Sequence, residues 1–300
     1  GGKAGKSLAM LRAKAGDKVV MVERDKVGGT CINVACIPTK TLISSARVLR
    51  EVQGSGAHGV TLPGRDGGTG ALERARIDLA SFRARKEAVV AGMVAAHEKM
   101  FPASGMDFVK GTARFVGERT IEIALNDGGL RRVRGAKVLI NTGTAPSVPP
   151  IEGLADAPHW TSEDLLALPE LPSSLIVLGG GVIGVEFASA WASMGSQVTI
   201  IEGLPHLVPN EDEAISKQLE RAFRKRKITF RTNTMFESVE RHDGGVTVRT
   251  QDGKTHEAEV LLIAVGRGPA TANLGYEEVG VAMDRGFVLA DEYGRTNVPG

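Results

Sequence analysis

The sequence predicts an α/β fold of two units, in which short buried strands alternate with helices. Two stretches predict the units, because each has a Gly-rich turn, a helix and a short apolar strand that ends in an acidic residue. In a third stretch, residues 107–142, apolar and polar residues alternate and turn residues recur, which is typical of a small β-meander. A length of 300 residues is enough for two domains of ordinary size.

The first unit begins with the stretch GGKAGKSLAMLRAKAGDKVVMVERD. Gly2 and Gly5 match the second and third glycines of a G-x-G-x-x-G turn. A helix is then predicted over 6–15 and a strand over 19–23, which ends at Glu23. This arrangement is the second half of a dinucleotide-binding βαβ unit. We expect the first glycine and the first strand to precede residue 1, so that the chain is a fragment.

The second unit contains the complete pattern in the stretch SLIVLGGGVIGVEFASAWASMGSQVTIIE. A strand over 175–178 leads into a full G-x-G-x-x-G turn, a helix continues to about residue 193, and a second strand covers 198–201. Glu202 follows the last glycine of the turn by eighteen residues, and Glu23 has the same offset in the first unit. Two dinucleotide sites, with both cysteines of the chain between them in sequence, suggest one flavin and one nicotinamide cofactor.

The glycines and the acidic residue of the complete turn have separate roles. Gly179 permits the tight turn, Gly181 lets a pyrophosphate approach the backbone, and Gly184 lets the helix pack closely on the strand. The helix N-terminus offers unpaired N–H groups to the phosphates. Glu202 is placed to accept hydrogen bonds from the ribose hydroxyls of adenosine and would repel a 2′-phosphate, so NAD is favoured over NADP.

The other segments add helices, strands and loops. Residues 54–76 are Gly-rich and polar and predict a long surface loop, and residues 146–153 predict a crossover linker. Helices are predicted over 31–53, 78–100 and 212–225, and further strands over 228–232, 246–250 and 258–265.

Composition excludes several classes of protein. Lys+Arg 37 against Asp+Glu 35 gives a net charge of +2, which argues against a nucleic-acid binder, and no apolar run approaches the length of a membrane span. The basic segment 221–231 is better explained as the solvated end of a helix than as a nucleic-acid patch. Two Cys residues do not make a secreted disulfide scaffold, and we expect a soluble cytoplasmic protein.

Both cysteines, Cys31 and Cys36, lie in the segment GGTCINVACIPTK. No second pair accompanies them and the six His are scattered, so we expect no metal site. Residues five apart in a regular helix point about 140° away from each other, so a disulfide here requires a distorted or newly beginning helix. Such a disulfide should be labile, a helix N-terminus lowers the pKa of a nearby thiol, and Lys40 follows one turn later to help hold a thiolate.

These segments resemble those of the class I pyridine nucleotide-disulfide oxidoreductases. GGTCINVACIPTK is similar to their redox-active segment, with Ala35 in place of the usual Gly, and VLGGGVIGVEFASAWASMGSQVTIIE is similar to their NAD-binding fingerprint. INTGTAPSVPP and LLIAVGRGPATANLG resemble their two domain junctions, and RGFVLADEYGRTNVPG the approach to their second flavin segment. The resemblance implies two Rossmann-like dinucleotide-binding domains of the FAD/NAD(P)-binding three-layer ββα type, with a small β-meander in each.

The resemblance also implies roles for individual residues. Cys31 is expected to be the interchange thiol that meets the substrate, and Cys36 the thiol nearest the flavin. Lys40 and Glu186 are expected to form an ion pair beside the flavin ring. The residues expected to bind FAD are Gly2, Gly5, Glu23, Gly29, Thr30, Lys40, Thr142 and Gly143. Those expected to bind NAD are Gly179, Gly181, Gly184, Glu202 and Gly266.

The domain organisation follows from the same resemblance. Residues 1–149 are expected to form the FAD-binding domain with the redox pair, residues 150–268 the NAD-binding domain, and residues 269–300 a return segment to the FAD domain. The second flavin segment and a C-terminal dimerisation domain, with its His-Glu base, are expected beyond Gly300. We therefore expect a homodimer for the full-length protein and no complete turnover by this chain alone.

The implied activity is electron transfer between a dithiol or disulfide substrate, a Cys31–Cys36 redox disulfide, FAD and NAD(H). The start of the chain is more similar to mercuric reductases and reactive-chlorine-responsive members, whereas the second half is more similar to dihydrolipoamide dehydrogenases. Dihydrolipoamide, as a small molecule or on a lipoyl domain, is the first expectation for the substrate. A metal-ion or reactive-species reductase that uses NAD(P)H is the second, and an inactive nucleotide-binding fragment is the third.

Overall fold

The computed structural model describes residues 1–61, 72–157 and 159–300, which divide into two compact units. Unit 1 consists of Gly1–Cys36, Val89–Ala145 and Arg267–Gly300. Unit 2 consists of Ile37–Ala88 and Pro146–Gly266. Both units combine helices with β-sheets, which confirms the predicted α/β fold class.

Helices and strands alternate along much of the described chain. The helices are α1 (Lys3–Lys14), α2 (Gly29–Asn33), α3 (Cys36–Gly54), α4 (Leu79–Ala103), α5 (Ser162–Leu165), α6 (Val182–Met194) and α7 (Glu213–Lys225), with a 3-10 turn at Ser55–His58. The strands are β1 (Val20–Glu23), β2 (Asp107–Gly117), β3 (Thr120–Leu125), β4 (Leu130–Arg134), β5 (Thr144–Pro146), β6 (His159–Trp160), β7 (Ser174–Leu178), β8 (Gln197–Ile201), β9 (Thr229–Arg231), β10 (Phe236–His242), β11 (Gly245–Thr250), β12 (Thr255–Ala258), β13 (Val260–Ile263), β14 (Arg267–Pro269), β15 (Met283–Asp284) and β16 (Phe287–Val288).

In unit 1 a single sheet joins the first strand to the predicted β-meander. Its order is β1-β2-β3-β4. Strand β1 pairs in parallel with β2, with Val20 opposite Asp107, and β2, β3 and β4 then pair antiparallel in sequence order. The small core of this unit includes Met21, Phe101 and Met106. The meander predicted over 107–142 is therefore confirmed.

In unit 2 a five-stranded sheet carries the complete glycine turn. Its order is β6-β13-β7-β8-β9, and every pair of neighbours is parallel. The central strand β7 is buried along four of its five residues, which explains its continuous apolar run. Helix α6 packs Phe187 and Trp191 into the main core of this unit. The antiparallel sheet β10-β11-β12 is the second predicted meander.

Three features of the secondary structure differ from the sequence predictions. The helix predicted over 31–53 is interrupted, because Val34 leaves the helical conformation (φ −140°, ψ 7°) before α3 begins at Cys36. The strand predicted over 258–265 is interrupted at Glu259, which separates β12 from β13. The segment predicted as a loop over 54–76 contains a 3-10 turn near its start, and residues 62–71 lie outside the described residues.

Candidate functional site

The glycine turn of unit 2 has no room for side chains at its two ends. Gly179 has a φ of +102°, and a Cβ there would run into the carbonyl oxygen of Ala264. A Cβ at Gly184 would run into the carbonyl oxygen of Gly179 itself. Only glycine satisfies both positions, because a positive φ and close backbone approach each exclude other residues.

The middle of the same turn is open. A Cβ at Gly181 would have no atom within 4 Å, and this residue is the N-cap of α6. The first N–H groups of a helix have no partner within the helix, and those of α6 follow directly after this open position. Gly266, predicted for the same cofactor, also has open space around a Cβ, and its carbonyl oxygen accepts from the Ser147 N–H at 3.0 Å.

Glu202 links the end of β8 to this turn. Its side chain is buried, with Oε2 2.6 Å from the Gly180 N–H and Oε1 2.8 Å from the Leu204 N–H. A carboxylate oxygen has two lone pairs, so each of these oxygens can accept a further hydrogen bond. Gly180 was not predicted as a site residue, although it lies inside the glycine run. A Cβ there would lie 2.6 Å from the Leu207 side chain.

The glycine turn of unit 1 brings two helix starts into contact. Gly2 is the N-cap of α1, and Gly29 is the first residue of α2, with a φ of +73°. A Cβ at Gly29 would run into the Cα of Gly2. A Cβ at Gly5 would run into the side-chain amide of Asn141, a residue that sequence reasoning missed although it directly precedes Thr142.

Glu23 is held as a carboxylate at the end of β1. Burial acts to raise its pKa, whereas the hydrogen bonds from the Asp25 and Lys26 N–H groups act to lower it. Its Oε1 lies 3.0 Å from the Asp25 N and 3.2 Å from the Lys26 N. Two backbone N–H groups therefore fix this carboxyl group at the position predicted to bind ribose.

The remaining residues predicted for FAD lie in two segments of unit 1. Thr30 is the second residue of α2. The Thr142 hydroxyl lies 3.4 Å from the hydroxyl of Tyr276, which sequence reasoning also missed. Gly143 has a φ of +77°, and its carbonyl oxygen accepts from the Ala270 N–H at 3.0 Å.

The cysteine pair lies at the junction of two helices. Cys31 is the third residue of α2 and Cys36 the first residue of α3, with Val34 and Ala35 between the two helices. Pro38 stands in the first turn of α3, where a missing N–H costs nothing. The irregular backbone that the spacing predicted is confirmed.

The structure holds the pair as two free thiols, so the predicted Cys31–Cys36 disulfide is not formed in it. Hydrogen bonding with the neighbouring Cys36, followed by burial, raises the pKa of Cys31. Cys36 lies at the N-terminus of α3, which is the positive end of the helix dipole. The pair is a dithiol in this structure.

Lys40 and Glu186 form an ion pair within unit 2, between α3 and α6. Their side chains are 58% and 38% exposed. Exposed pairs of this kind contribute little to stability, because solvent screens the attraction and both side chains lose freedom. The pair therefore contributes little to the stability of the fold.

Replacing Lys40 with Met or Glu186 with Gln is expected to lower the free energy of unfolding by less than about 1 kcal/mol each. A double-mutant cycle in urea measures their coupling, which should be about 0.2–1 kcal/mol. A coupling energy above about 2 kcal/mol would instead make the pair a structural element.

The described residues contain neither a metal-binding cluster nor a membrane-spanning helix. No group of three or more His, Cys, Asp or Glu side chains there could hold a metal ion. Among the same residues, no helix is both long and apolar enough to cross a membrane.

Comparison with known proteins identifies the family. The family model described as pyridine nucleotide-disulphide oxidoreductase matches residues 1–300. The chain belongs to this family. Membership agrees with the two glycine turns and the thiol pair, and it confirms the resemblance on which the residue roles were predicted.

Several relatives within the pyridine nucleotide-disulphide oxidoreductases cover the whole chain. The mercuric reductase of Streptomyces lividans is 39% identical over 305 residues, which cover 100% of this chain and 62% of that protein. The dihydrolipoamide dehydrogenase of Chaetomium thermophilum is 35% identical over 309 residues, which cover 100% of this chain and 59% of that protein.

Solved structures of this family agree with the fold. The Cu(II) complex of the HOCl-induced flavoprotein disulfide reductase RclA from Escherichia coli has a TM-score of 0.84 at 34% identity. The alignment covers 99% of this chain and 62% of that one. The chain thus spans about three fifths of the length of the relatives it matches.

Proposed function

We propose that the protein carrying this chain is an FAD- and NAD-dependent disulfide oxidoreductase, which passes electrons between a dithiol or disulfide substrate and NAD(H). The observation that supports this most is the break between α2 and α3, which separates Cys31 from Cys36 by irregular backbone at Val34 and Ala35. A disulfide at this spacing requires such a break, and a disulfide carries two electrons. Members of the family use FAD and NAD(P).

The turn of unit 1 fits the ADP part of FAD. The close approach of Gly29 to Gly2 leaves backbone rather than side chains at the start of α1. Backbone N–H groups at a helix N-terminus bind phosphates, and an ionised Glu23 can accept from ribose hydroxyls. We assign FAD to Gly2, Gly5, Glu23, Gly29, Thr30, Thr142 and Gly143, with Lys40 assigned by resemblance alone.

The turn of unit 2 fits NAD. The open space beside Gly181 has the location that a pyrophosphate needs in front of a helix N-terminus. The buried Glu202 carboxylate would repel a 2′-phosphate, which supports NAD over NADP. We assign this cofactor to Gly179, Gly181, Gly184, Glu202 and Gly266.

The thiol chemistry follows from exchange between sulfurs. A substrate thiolate attacks the Cys31 sulfur of the oxidised pair, the Cys31–Cys36 bond breaks, and Cys36 leaves as a thiolate. The second substrate thiolate then attacks the substrate's own sulfur in the mixed disulfide, which releases Cys31 and leaves the substrate as a disulfide. The two substrate thiols lose two protons, of which one ends on Cys31 and one in solvent.

The reduced thiols need acceptors for their electron pair, and these would come from the cofactors. When bound, FAD would supply an acceptor for the electron pair of the reduced cysteines, and NAD would supply the final hydride acceptor. Within the chain, Cys36 lies at the N-terminus of α3, the positive end of the helix dipole. Lys40 and Glu186 are assigned as the ion pair beside the flavin ring, on the basis of the family resemblance.

Dihydrolipoamide, free or on a lipoyl domain, is our first substrate, and a full-length homodimer in the cytoplasm is the setting we propose. The similarity to a dihydrolipoamide dehydrogenase supports this choice. Reduction of a metal ion or reactive species with NAD(P)H is the second candidate. Its support is the higher identity to a mercuric reductase and the likeness to a reductase solved with Cu(II).

A direct comparison of substrates on the full-length protein loaded with FAD tests the proposal. We expect NAD⁺ reduction by dihydrolipoamide, at least about tenfold faster than NADP⁺ reduction. NADH oxidation that depends on Hg(II)–thiol or Cu(II) complexes, without dihydrolipoamide activity, would support the second candidate. Flavin absorbance that neither NADH nor dithiol changes would leave a nucleotide-binding protein and overturn both.

A further inference from the structure

Lys6 and His97 make a contact that the proposed function does not use. The Lys6 ammonium, in the first turn of α1, donates a hydrogen bond to Nε2 of His97 on α4. The other ring nitrogen, Nδ1, lies 2.6 Å from the Met93 carbonyl oxygen. A carbonyl can only accept, so Nδ1 carries the proton and Nε2 accepts from Lys6. In this arrangement the Lys6 ammonium is the donor and the ring nitrogen is the acceptor.

His97 is a fixed anchor for this charge. Its side chain is 6% exposed, and its ring meets the buried ring of Phe101 edge-on, with 5.6 Å between centroids. A lysine side chain ordinarily samples many rotamers, but an acceptor held in the core restricts them. The Lys6 ammonium thus has a defined position in unit 1.

The start of α1, which carries Lys6, is in contact with the start of α2, which carries Cys31. Gly2 precedes α1 and touches Gly29, the first residue of the helix that carries Cys31. Lys6 is therefore in the first turn next to this contact. Lys3, in the same turn, is a second cation there.

The charges of this region act on one another in the expected directions. Hydrogen bonding to Cys36 and burial raise the pKa of Cys31, and the ammonium groups of Lys3 and Lys6 act to lower it. Burial and then Lys3 lower the pKa of Lys6, and Cys31 acts to raise it. Cys31 and Lys6 therefore interact as an anion and a cation whenever Cys31 loses its proton.

We propose that Lys6, held in place by His97, is a positioning residue that favours the thiolate form of Cys31. This inference rests on the proposed function, because it concerns the step in which Cys31 is released from the mixed disulfide as a thiolate. A thiol that binds its proton less tightly leaves faster. Lys6 assists that release through its charge, without contact to the substrate.

In the full-length protein, Cys36→Ser leaves Cys31 without its partner thiol, and alkylation of Cys31 is followed on the peptide that carries it by mass spectrometry. The rate of alkylation by iodoacetamide over a pH series then reports the Cys31 thiolate directly. In this background Lys6→Gln removes the charge but keeps a donor for His97. We expect its alkylation near neutral pH to be about 2- to 10-fold slower, with the midpoint of the pH profile raised.

Matched variants separate charge from structure. Lys6→Arg keeps the charge and should restore the rate, and Lys14→Met, at the far end of α1, should leave it unchanged. His97→Phe removes the acceptor that holds Lys6 and should slow alkylation of Cys31, though less than Lys6→Gln does. His97→Gln keeps an acceptor and should slow alkylation less than His97→Phe. Thermal unfolding of each variant checks that the fold is intact.

Results that contradict the role of Lys6 can be told apart from results that contradict the proposed redox function. Folded Lys6→Gln and His97→Phe variants with wild-type alkylation profiles would overturn the inference, while reversible disulfide formation in the wild type would leave the function standing. A wild-type chain whose cysteines never form a disulfide would overturn both.

Discussion

Replacing Cys36 with Ser is expected to abolish dithiol-dependent reduction of NAD⁺, with a loss of about a thousandfold or more. A serine hydroxyl cannot close the disulfide that carries the electron pair, so the first exchange step has no leaving sulfur. Cys31→Ser should have the same effect, because it removes the sulfur that the substrate attacks. Neither change should unfold the protein, since Cys31 is only partly buried and Cys36 is exposed.

The measurement is the rate of NADH formation from dihydrolipoamide by the full-length protein. Ser44→Ala is a suitable control, because Ser44 is an exposed residue of the same helix, α3. It should keep the wild-type rate, and all variants should keep the wild-type melting temperature. A Cys36→Ser protein with more than about a tenth of wild-type activity would contradict the role of the pair.

The second large effect concerns two glycines of one turn. Gly184→Ala is expected to lower the free energy of unfolding by about 3 kcal/mol or more, because its Cβ would run into the carbonyl oxygen of Gly179. A backbone atom in a sheet-to-helix turn cannot move aside as a side chain can. The main core of unit 2, which includes Phe187 and Trp191 of the same helix, would be disturbed with it.

Gly181→Ala is the matched variant, three residues earlier. Its φ is −69° and nothing lies within 4 Å of a Cβ, so stability should change by less than about 0.5 kcal/mol. The added methyl would occupy the space assigned to the pyrophosphate, and NADH affinity should fall about 10- to 100-fold. Urea unfolding and NADH fluorescence titration measure the two effects. Equal stability losses in both variants would contradict this account of the turn.

The sequence was sufficient for the fold class because the glycine turns combine with strands of defined length and an acidic residue at a fixed offset. Gly179 and Gly184 cannot carry a side chain, because a Cβ at either position would run into a backbone carbonyl oxygen close to the turn. A local requirement of this kind can be predicted from a sequence. The sequence predicted that the helix around the cysteines is distorted, but it did not predict the break at Val34. The spacing of the cysteines required a distortion but did not say where it would fall.

Contacts between distant parts of the chain were harder to predict. Lys40 and Glu186 are 146 residues apart, and only the resemblance to a family suggested that they pair. Lys6 and His97 are 91 residues apart, and no motif marks either of them. Their contact depends on how α4 packs in unit 1, which periodicity does not specify. Glu202 was predicted as a ribose acceptor, but its hydrogen bond to Gly180 was not.

A redox titration of the thiols in the wild-type chain tests most directly whether Cys31 and Cys36 form a redox pair. Samples equilibrated in dithiothreitol buffers of graded potential are blocked with iodoacetamide and weighed by mass spectrometry. We expect a single two-electron transition, from two blocked cysteines to none, with the chain remaining free of intermolecular disulfides. Two blocked cysteines at every potential, or a disulfide formed only between chains, would contradict the assignment of Cys31 and Cys36 as a redox pair.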